Sequence, residues 1–248
     1  MNLETLEYPP LTEDIEEAKN HLDKYGMALI ANVLSSDEID EMDQRLNEQF
    51  LGEEKYKVGS KVRGDEGLGL ESSEEEKVSR LVWNLINKGD CFLKLIDHPK
   101  ILPLIQHLIG EKVCLCSMGA HMNGSGNEKM ALHQDQWPLV PHPMDFPFMA
   151  NVMYLISDNS PENGGTRLIP GSHKWPLIDY RTANGEEIQK MANSLTAPRG
   201  TAIVWEGRLW HGNGLNRSGS MRSNISTCLL YTSPSPRDAT LSRMPSSA

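Results

Sequence analysis

The chain has 248 residues, 38% of them apolar and 23% charged, with a formal net charge of −10. That length allows one large domain or two small ones, and the composition can bury a core and is far from a disordered chain. The acidic balance argues against nucleic acid or an anionic membrane as the main partner, and no apolar run approaches the roughly 18 residues of a membrane span.

In chain order, Met1-Asn2-Leu3-Glu4 opens without the basic and apolar stretches of a secretory signal, so a cytoplasmic protein is expected. Thr12 is placed to cap a helix in which Ile15, Ala18, Leu22 and Tyr25 recur at helical spacing, with Gly26 as its stop. Residues 27–31 read as a buried strand. Ser35 with Glu38 forms a capping-box pattern, opening a helix striped by Ile39, Met42, Leu46 and Phe50. Residues 52–77, charged and Gly-rich with acidic Glu74 to Glu76, read as a mobile excursion with a solvated face. Helical signals return at 81–86 and 101–108, where Pro99 suits a first turn and Gly110 a stop.

From about residue 112 short runs rich in Val, Ile, Leu, Met and Trp alternate with Gly, Pro and Asn. The runs 112–122, 130–136, 148–157, 166–170, 201–206 and 222–231 predict a sandwich or barrel, with helices packed outside a C-terminal β-core. The expected organisation is a single domain over 1–232, helical in 1–111 and β in 112–232. Residues 233–248 are rich in Ser, Pro and Arg and read as a disordered or non-native tail. The stretch from Cys228 to Asp238 resembles adapter read-through in translated environmental sequences, so the natural C-terminus is expected to be missing and no function is placed there. Cys91, Cys114, Cys116 and Cys228 include no C-x-x-C pair, which favours buried free thiols over a zinc site.

The chemistry centres on Leu132-His133-Gln134-Asp135-Gln136. On an extended segment His133 and Asp135 point the same way, giving an imidazole and a carboxylate, two legs of the facial triad that holds non-haem Fe(II). A lone H-x-D is weak and suits a polar turn equally well. The odds change with Trp210-His211-Gly212, a His at a strand end flanked by small residues, and with Arg222 eleven residues on. A guanidinium there could clamp a dicarboxylate whose other end chelates the metal; Arg217 is its competitor. His173 reads as a rim-stabilising residue, His121 as a candidate pocket residue, and His142 as a solvated or lid residue. His21, His98 and His107 lie in the helical part without partners, and Trp137 reads as a pocket wall or an ordinary buried aromatic.

With these pieces in order, the chain resembles the phytanoyl-CoA dioxygenase-like family of Fe(II)/2-oxoglutarate-dependent oxygenases. The resemblance runs from Tyr25-Gly26 to about Leu230. It rests on His133-Gln134-Asp135, Glu162-Asn163-Gly164-Gly165-Thr166, Ile169-Pro170-Gly171-Ser172-His173-Lys174-Trp175, and Trp210-His211 with Arg222 downstream. It implies a mainly β fold, a double-stranded β-helix (jelly-roll, cupin-like) with buttressing helices. By motif it makes His133, Asp135 and His211 the iron ligands and catalytic centre, and Arg222 the anchor of the 2-oxoglutarate carboxylate. Gln134, Asn213, Asn151 and Met153 are implied further cosubstrate contacts, and Met118 aligns loosely with another pocket position. The implied reaction takes Fe(II), 2-oxoglutarate and O2, hydroxylates a small organic substrate and releases succinate and CO2. A halogenase is disfavoured because Asp135 is present. A cupin-like metal protein without oxidative chemistry, or an inactive family member, remains the alternative.

Overall fold

The computed structural model describes residues 4, 6–62, 79–124, 130–136, 146–176, 183–218 and 220–232. Strand β1 (Leu11–Thr12) precedes helix α1 (Ile15–Tyr25) and strand β2 (Met27–Ile30). The cap of α1 is Asp14, not Thr12: the Asp14 carboxylate accepts from the Glu17 N–H, while Thr12 pairs within β1 and its hydroxyl donates to the Glu17 carboxylate. Gly26 ends α1 at φ 73°, and a Cβ there would lie 2.4 Å from the His173 ring, so this turn admits only glycine. Helix α2 (Ser36–Tyr56) carries the full capping box of Ser35 and Glu38 and buries Ile39, Met42, Leu46 and Phe50 on one stripe. It runs past residue 52 into the stretch expected to be a loop, held there by a partly buried Glu53–Lys88 ion pair.

Strands β3 (Ser60–Val62) and β4 (Ser79–Trp83) form a hairpin-like pair. The helix expected at 81–86 is therefore a strand followed by a 3-10 turn (Leu85–Asn87). Helices α3 (Asp90–Leu93) and α4 (Leu102–Ile109) follow, with Pro103 rather than Pro99 in the first turn of α4 and Gly110 at its end. The β-core comprises β5 (Val113–Asn123), β6 (Met149–Leu155), β7 (Thr166–Leu168), β8 (Ala202–Glu206), β9 (His211–Asn213) and β10 (Arg222–Tyr231), with a 3-10 turn (Ser172–Lys174) and helix α5 (Ala183–Met191) between β7 and β8.

Eight strands make the larger sheet, in the order β1-β2-β8-β6-β10-β5-β4-β3, and β7 and β9 pair opposite it. The two sheets form the jelly-roll, and the chain is mainly β in its functional half. Alternation along each strand divides the large sheet into two faces. Ala150, Val152 and Tyr154 of β6 join Ile39, Leu46 and Leu104 under the helices, in one apolar cluster. Each fully buried large side chain of this kind contributes roughly 1.5–3 kcal/mol. On the opposite face Met153, Leu155, Ile203 and Trp205 pack with Leu168 and Leu209, filling the space between the sheets.

Among the described residues, no helix is long and apolar enough to cross a membrane. All four cysteines are free, but only Cys91 is buried; Cys114 and Cys116 are exposed and Cys228 is half-buried. The acidic run Glu74 to Glu76, Trp137, His142 and the tail 233–248 lie outside the described residues.

Candidate metal centre

The segment expected as a strand over 130–136 reduces to a single bridge, and that bridge builds the site. His133 and His211 face each other as an antiparallel pair that exchanges both backbone hydrogen bonds, His133 N–H to His211 C=O at 2.8 Å and the reverse at 3.0 Å. Directly opposed residues project side chains to the same face, so the two imidazoles come together, ring centroids 4.4 Å apart. On its other side His211 pairs with Leu168 of β7, which fixes it in the middle of the small sheet. Gly212 permits the approach: a Cβ there would stand 2.7 Å from the Met130 carbonyl oxygen and 2.9 Å from that of Ala131. Asp135, two residues beyond His133, completes the group, and one ligand atom from each of the three residues lies within 4.8 Å of the others.

The proton positions follow from the hydrogen bonds. His133 Nδ1 lies 3.0 Å from the Ala131 carbonyl and His211 Nδ1 lies 3.0 Å from the Leu209 carbonyl. A carbonyl only accepts, so both Nδ1 atoms carry protons and both Nε2 atoms turn toward Asp135, at 3.4 Å from Oδ1 and 3.2 Å from Oδ2. Imidazoles held this way turn both Nε2 atoms, with Asp135, toward a shared point, the donor set of a divalent cation. Burial by itself raises the Asp135 carboxyl, but His211 and His133 beside it more than offset that and hold it well below the usual carboxylate range. Asn151 Nδ2 donates to Asp135 Oδ2 at 2.8 Å, orienting the carboxylate. Trp205, whose ring centroid is 5.1 Å from that of His211, backs the second imidazole.

A cavity of about 320 Å3 opens onto this cluster. Met153 and Asn213 line it, as does Asn151. Gln134 does not: alternation turns its side chain away from His133 and Asp135, and its amide donates to the Arg208 carbonyl. Met118 packs under the helices, on the far face of β5. His121 is on the cavity wall, edge-on to Trp83. His173 is buried against Gly26, away from the cluster, and His107 pairs with Asp23 at 2.8 Å.

Arg222 opens β10 on the face that lines the cavity. It is 1% exposed, and none of its three guanidinium nitrogens has a hydrogen-bond partner among the described residues. Burial pushes it down to about 10, which leaves it charged at neutral pH. A buried unpaired cation is costly, so this arrangement fits an anionic ligand that supplies the missing acceptors. Arg217, its competitor, is exposed in the preceding loop, its N–H on the Glu162 carbonyl. Trp83, Trp205 and Asn224 are cavity residues that motif reading passed over. Strand alternation from Arg222 would have pointed to Asn224; Trp205 depends on the register that sets β8 against Asn151 of β6, and Trp83 on a strand that reads as a helix.

Residues 22–224 match the family described as phytanoyl-CoA dioxygenase. The chain is 30% identical over 210 residues to dioxygenase af480 of Aspergillus fumigatus, covering 83% of this chain and 63% of that protein. It is 27% identical over 224 residues to a probable alpha-ketoglutarate-dependent hypophosphite dioxygenase of Stutzerimonas stutzeri, covering 82% and 73%. Among solved structures it superposes on the non-heme alpha ketoglutarate dependent carbocyclase SnoK from nogalamycin biosynthesis, with a TM-score of 0.66 at 19% identity, covering 92% of this chain and 90% of that one. The epimerase SnoN, solved with Fe3+, alpha ketoglutarate and nogalamycin RO, gives a TM-score of 0.66 at 20% identity, covering 94% and 91%.

Proposed function

The chain belongs to the phytanoyl-CoA dioxygenase family, and from that premise we propose that it is an Fe(II)- and 2-oxoglutarate-dependent dioxygenase that hydroxylates a small organic molecule. His133, Asp135 and His211 hold the iron, and Arg222 anchors the far carboxylate of 2-oxoglutarate. Together, iron and cosubstrate supply the oxidative chemistry, in which O2 is consumed and 2-oxoglutarate becomes succinate and CO2. The protein's own groups do the rest. The Ala131 and Leu209 carbonyls hold both histidines by Nδ1 with Nε2 turned toward Asp135, and Asn151 holds the carboxylate. Met153, Trp205 and Leu168 keep water out of the space behind the cluster. Asn213 and Met153 face the cosubstrate from the cavity wall, and Gln134 contributes through the backbone it fixes at Arg208.

The observation that carries this reading is Arg222: a metal-binding barrel without oxidative chemistry has no use for a buried, unpaired guanidinium on the cavity strand. The named relatives' similarity, one of them described as alpha-ketoglutarate-dependent, supports the same reading. The test is anaerobic titration of the purified protein with Fe(II) and then 2-oxoglutarate, followed by succinate measurement on admitting O2. Binding of both and succinate release, even uncoupled, are expected. Iron uptake with no 2-oxoglutarate binding would leave a non-oxidative metal-binding barrel.

A further inference from the structure

Helix α5 plays no part in the assignment above, yet one of its side chains grips the segment that carries His133. Because His133 exchanges both backbone hydrogen bonds with His211, the N–H and C=O of Leu132 point the other way, out from that pair. Gln189 of α5 takes both. Its Oε1 accepts from the Leu132 N–H at 2.8 Å, and its Nε2 donates to the Leu132 C=O at 3.0 Å. The side-chain amide thus stands in for a neighbouring strand. Leu132 is fully buried, so water cannot replace either bond if the amide is lost.

The grip is itself held in place. Arg167, paired with Gly212 across β7 and β9, donates from Nε and Nη2 to the Ala192 carbonyl and from Nη2 to the Gln189 carbonyl. Ile188 of the same helix packs with Leu132 and Trp210, the residues immediately before the two histidines of the cluster. A run of fixed contacts therefore leads from β7 through α5 to Leu132. The 131–133 segment meets β9 through a single bridge, which by itself is little to fix a metal ligand to within a fraction of an ångström. We propose that Gln189 is a positioning residue of the metal centre: its amide clamps the Leu132 backbone and so sets where His133 presents Nε2. This rests on the reading of His133 as a metal ligand and is independent of the cosubstrate.

The test uses the whole chain, loaded anaerobically with Fe(II), or with Co(II), whose visible absorption reports ligand geometry. Gln189→Met keeps an unbranched, flexible side chain and removes both hydrogen bonds. Gln189→Glu keeps an acceptor for the Leu132 N–H but sets a carboxylate oxygen against the Leu132 carbonyl. Both should weaken Fe(II) binding by about tenfold, as loss of the support behind a metal ligand does, and both should alter the Co(II) spectrum. Lys190→Gln, at an exposed position of α5, should change neither. Hydrogen exchange adds a measurement that needs no variant: in the parent, the Leu132 amide should be protected with or without metal. A freely exchanging Leu132 amide in the parent overturns the proposal. So do folded Gln189 variants with the parent's iron affinity and Co(II) spectrum, which would make the contact a helix-packing bond alone. A parent that takes up neither metal ion fails the metal-centre reading itself, and the positioning role with it.

Discussion

At the scale of single residues, the site depends on where protons sit and on which charges lack a counter-ion. His133 and His211 reach the cluster with their protons already committed to backbone carbonyls, so each contributes a lone pair without rearrangement. Anaerobically purified protein is therefore expected to bind about one Fe(II) per chain, a facial-triad stoichiometry. His133→Ala, His211→Ala and Asp135→Ala should each lose tight binding, measured by metal analysis after gel filtration. Full iron content in both histidine variants would remove the assignment. Arg222 is the second residue on which the chemistry turns. A lysine keeps the charge but cannot make two parallel hydrogen bonds, so Arg222→Lys should weaken 2-oxoglutarate binding by roughly 1.5–3 kcal/mol. Arg217→Lys, altering an exposed loop residue, should do much less. Equal affinities for parent and Arg222→Lys would place the anchor elsewhere.

Elements show where local pattern was and was not sufficient. The stripe of α2 and its capping box were legible because both are set by residues within one or two turns of each other. The end of α2 was not, because the Glu53–Lys88 pair that holds it spans 35 positions of sequence. Residues 81–83 are an apolar run too short to assign by period; β4 is a strand because the eleven-residue β5 offers it a free edge. The segment 130–136 reads as a strand but keeps only the His133 bridge, since Gln136 turns away and ties to Gly207 and Phe146. That bridge makes Gly212 critical. Gly212→Ala should force β9 away from the Met130 and Ala131 carbonyls and lower iron affinity by about tenfold or more, as a small misplacement of preorganised ligands does. Far-UV circular dichroism should stay unchanged. Iron affinity equal to the parent's would show that the two segments yield without moving the histidines.

For the whole molecule, stability carries the signature of a buried neutral histidine. His173 is 6% exposed, wedged on Gly26 where α1 passes into β2; burial, with Lys174 and Arg208 nearby, pushes it down to about 4. Above pH 6.5 it is neutral whether the chain is folded or not and contributes no pH dependence. As pH falls from 6.5 toward 4, the unfolded chain takes up a proton that the folded one refuses. Stability should then drop by about 1.4 kcal/mol per pH unit for this group and level off below pH 4. Denaturant unfolding at pH 7, 5.5 and 4.5 reads the slope, and His173→Gln should reduce it. His121, pushed down to about 4 as well, leaves part of the slope in place. The same slope in the variant and the parent would mean that His173 is solvated in the folded state.

What could be read from the residues alone was whatever depends on near neighbours or on an ordered set of short motifs: the stripes of the first two helices and the capping box of α2, the strand-rich second half, and the donor types in His133, Asp135, His211 and Arg222. Side-chain alternation is intrinsic to a strand, so it also indicated that Asn151 and Met153 share a face. Only the tertiary structure decided which groups meet. His133 and His211 are 78 positions apart, and no local preference sets a bridge between them; it forms because β7 and β9 pair and Gly212 lets a third segment close in. Register across β5, β10 and β6 likewise set Asn224 opposite His121 and left Met118 under the helices. A one-residue slip would have exchanged those faces, because side chains alternate with a period of two and the choice between faces is made by long-range pairing.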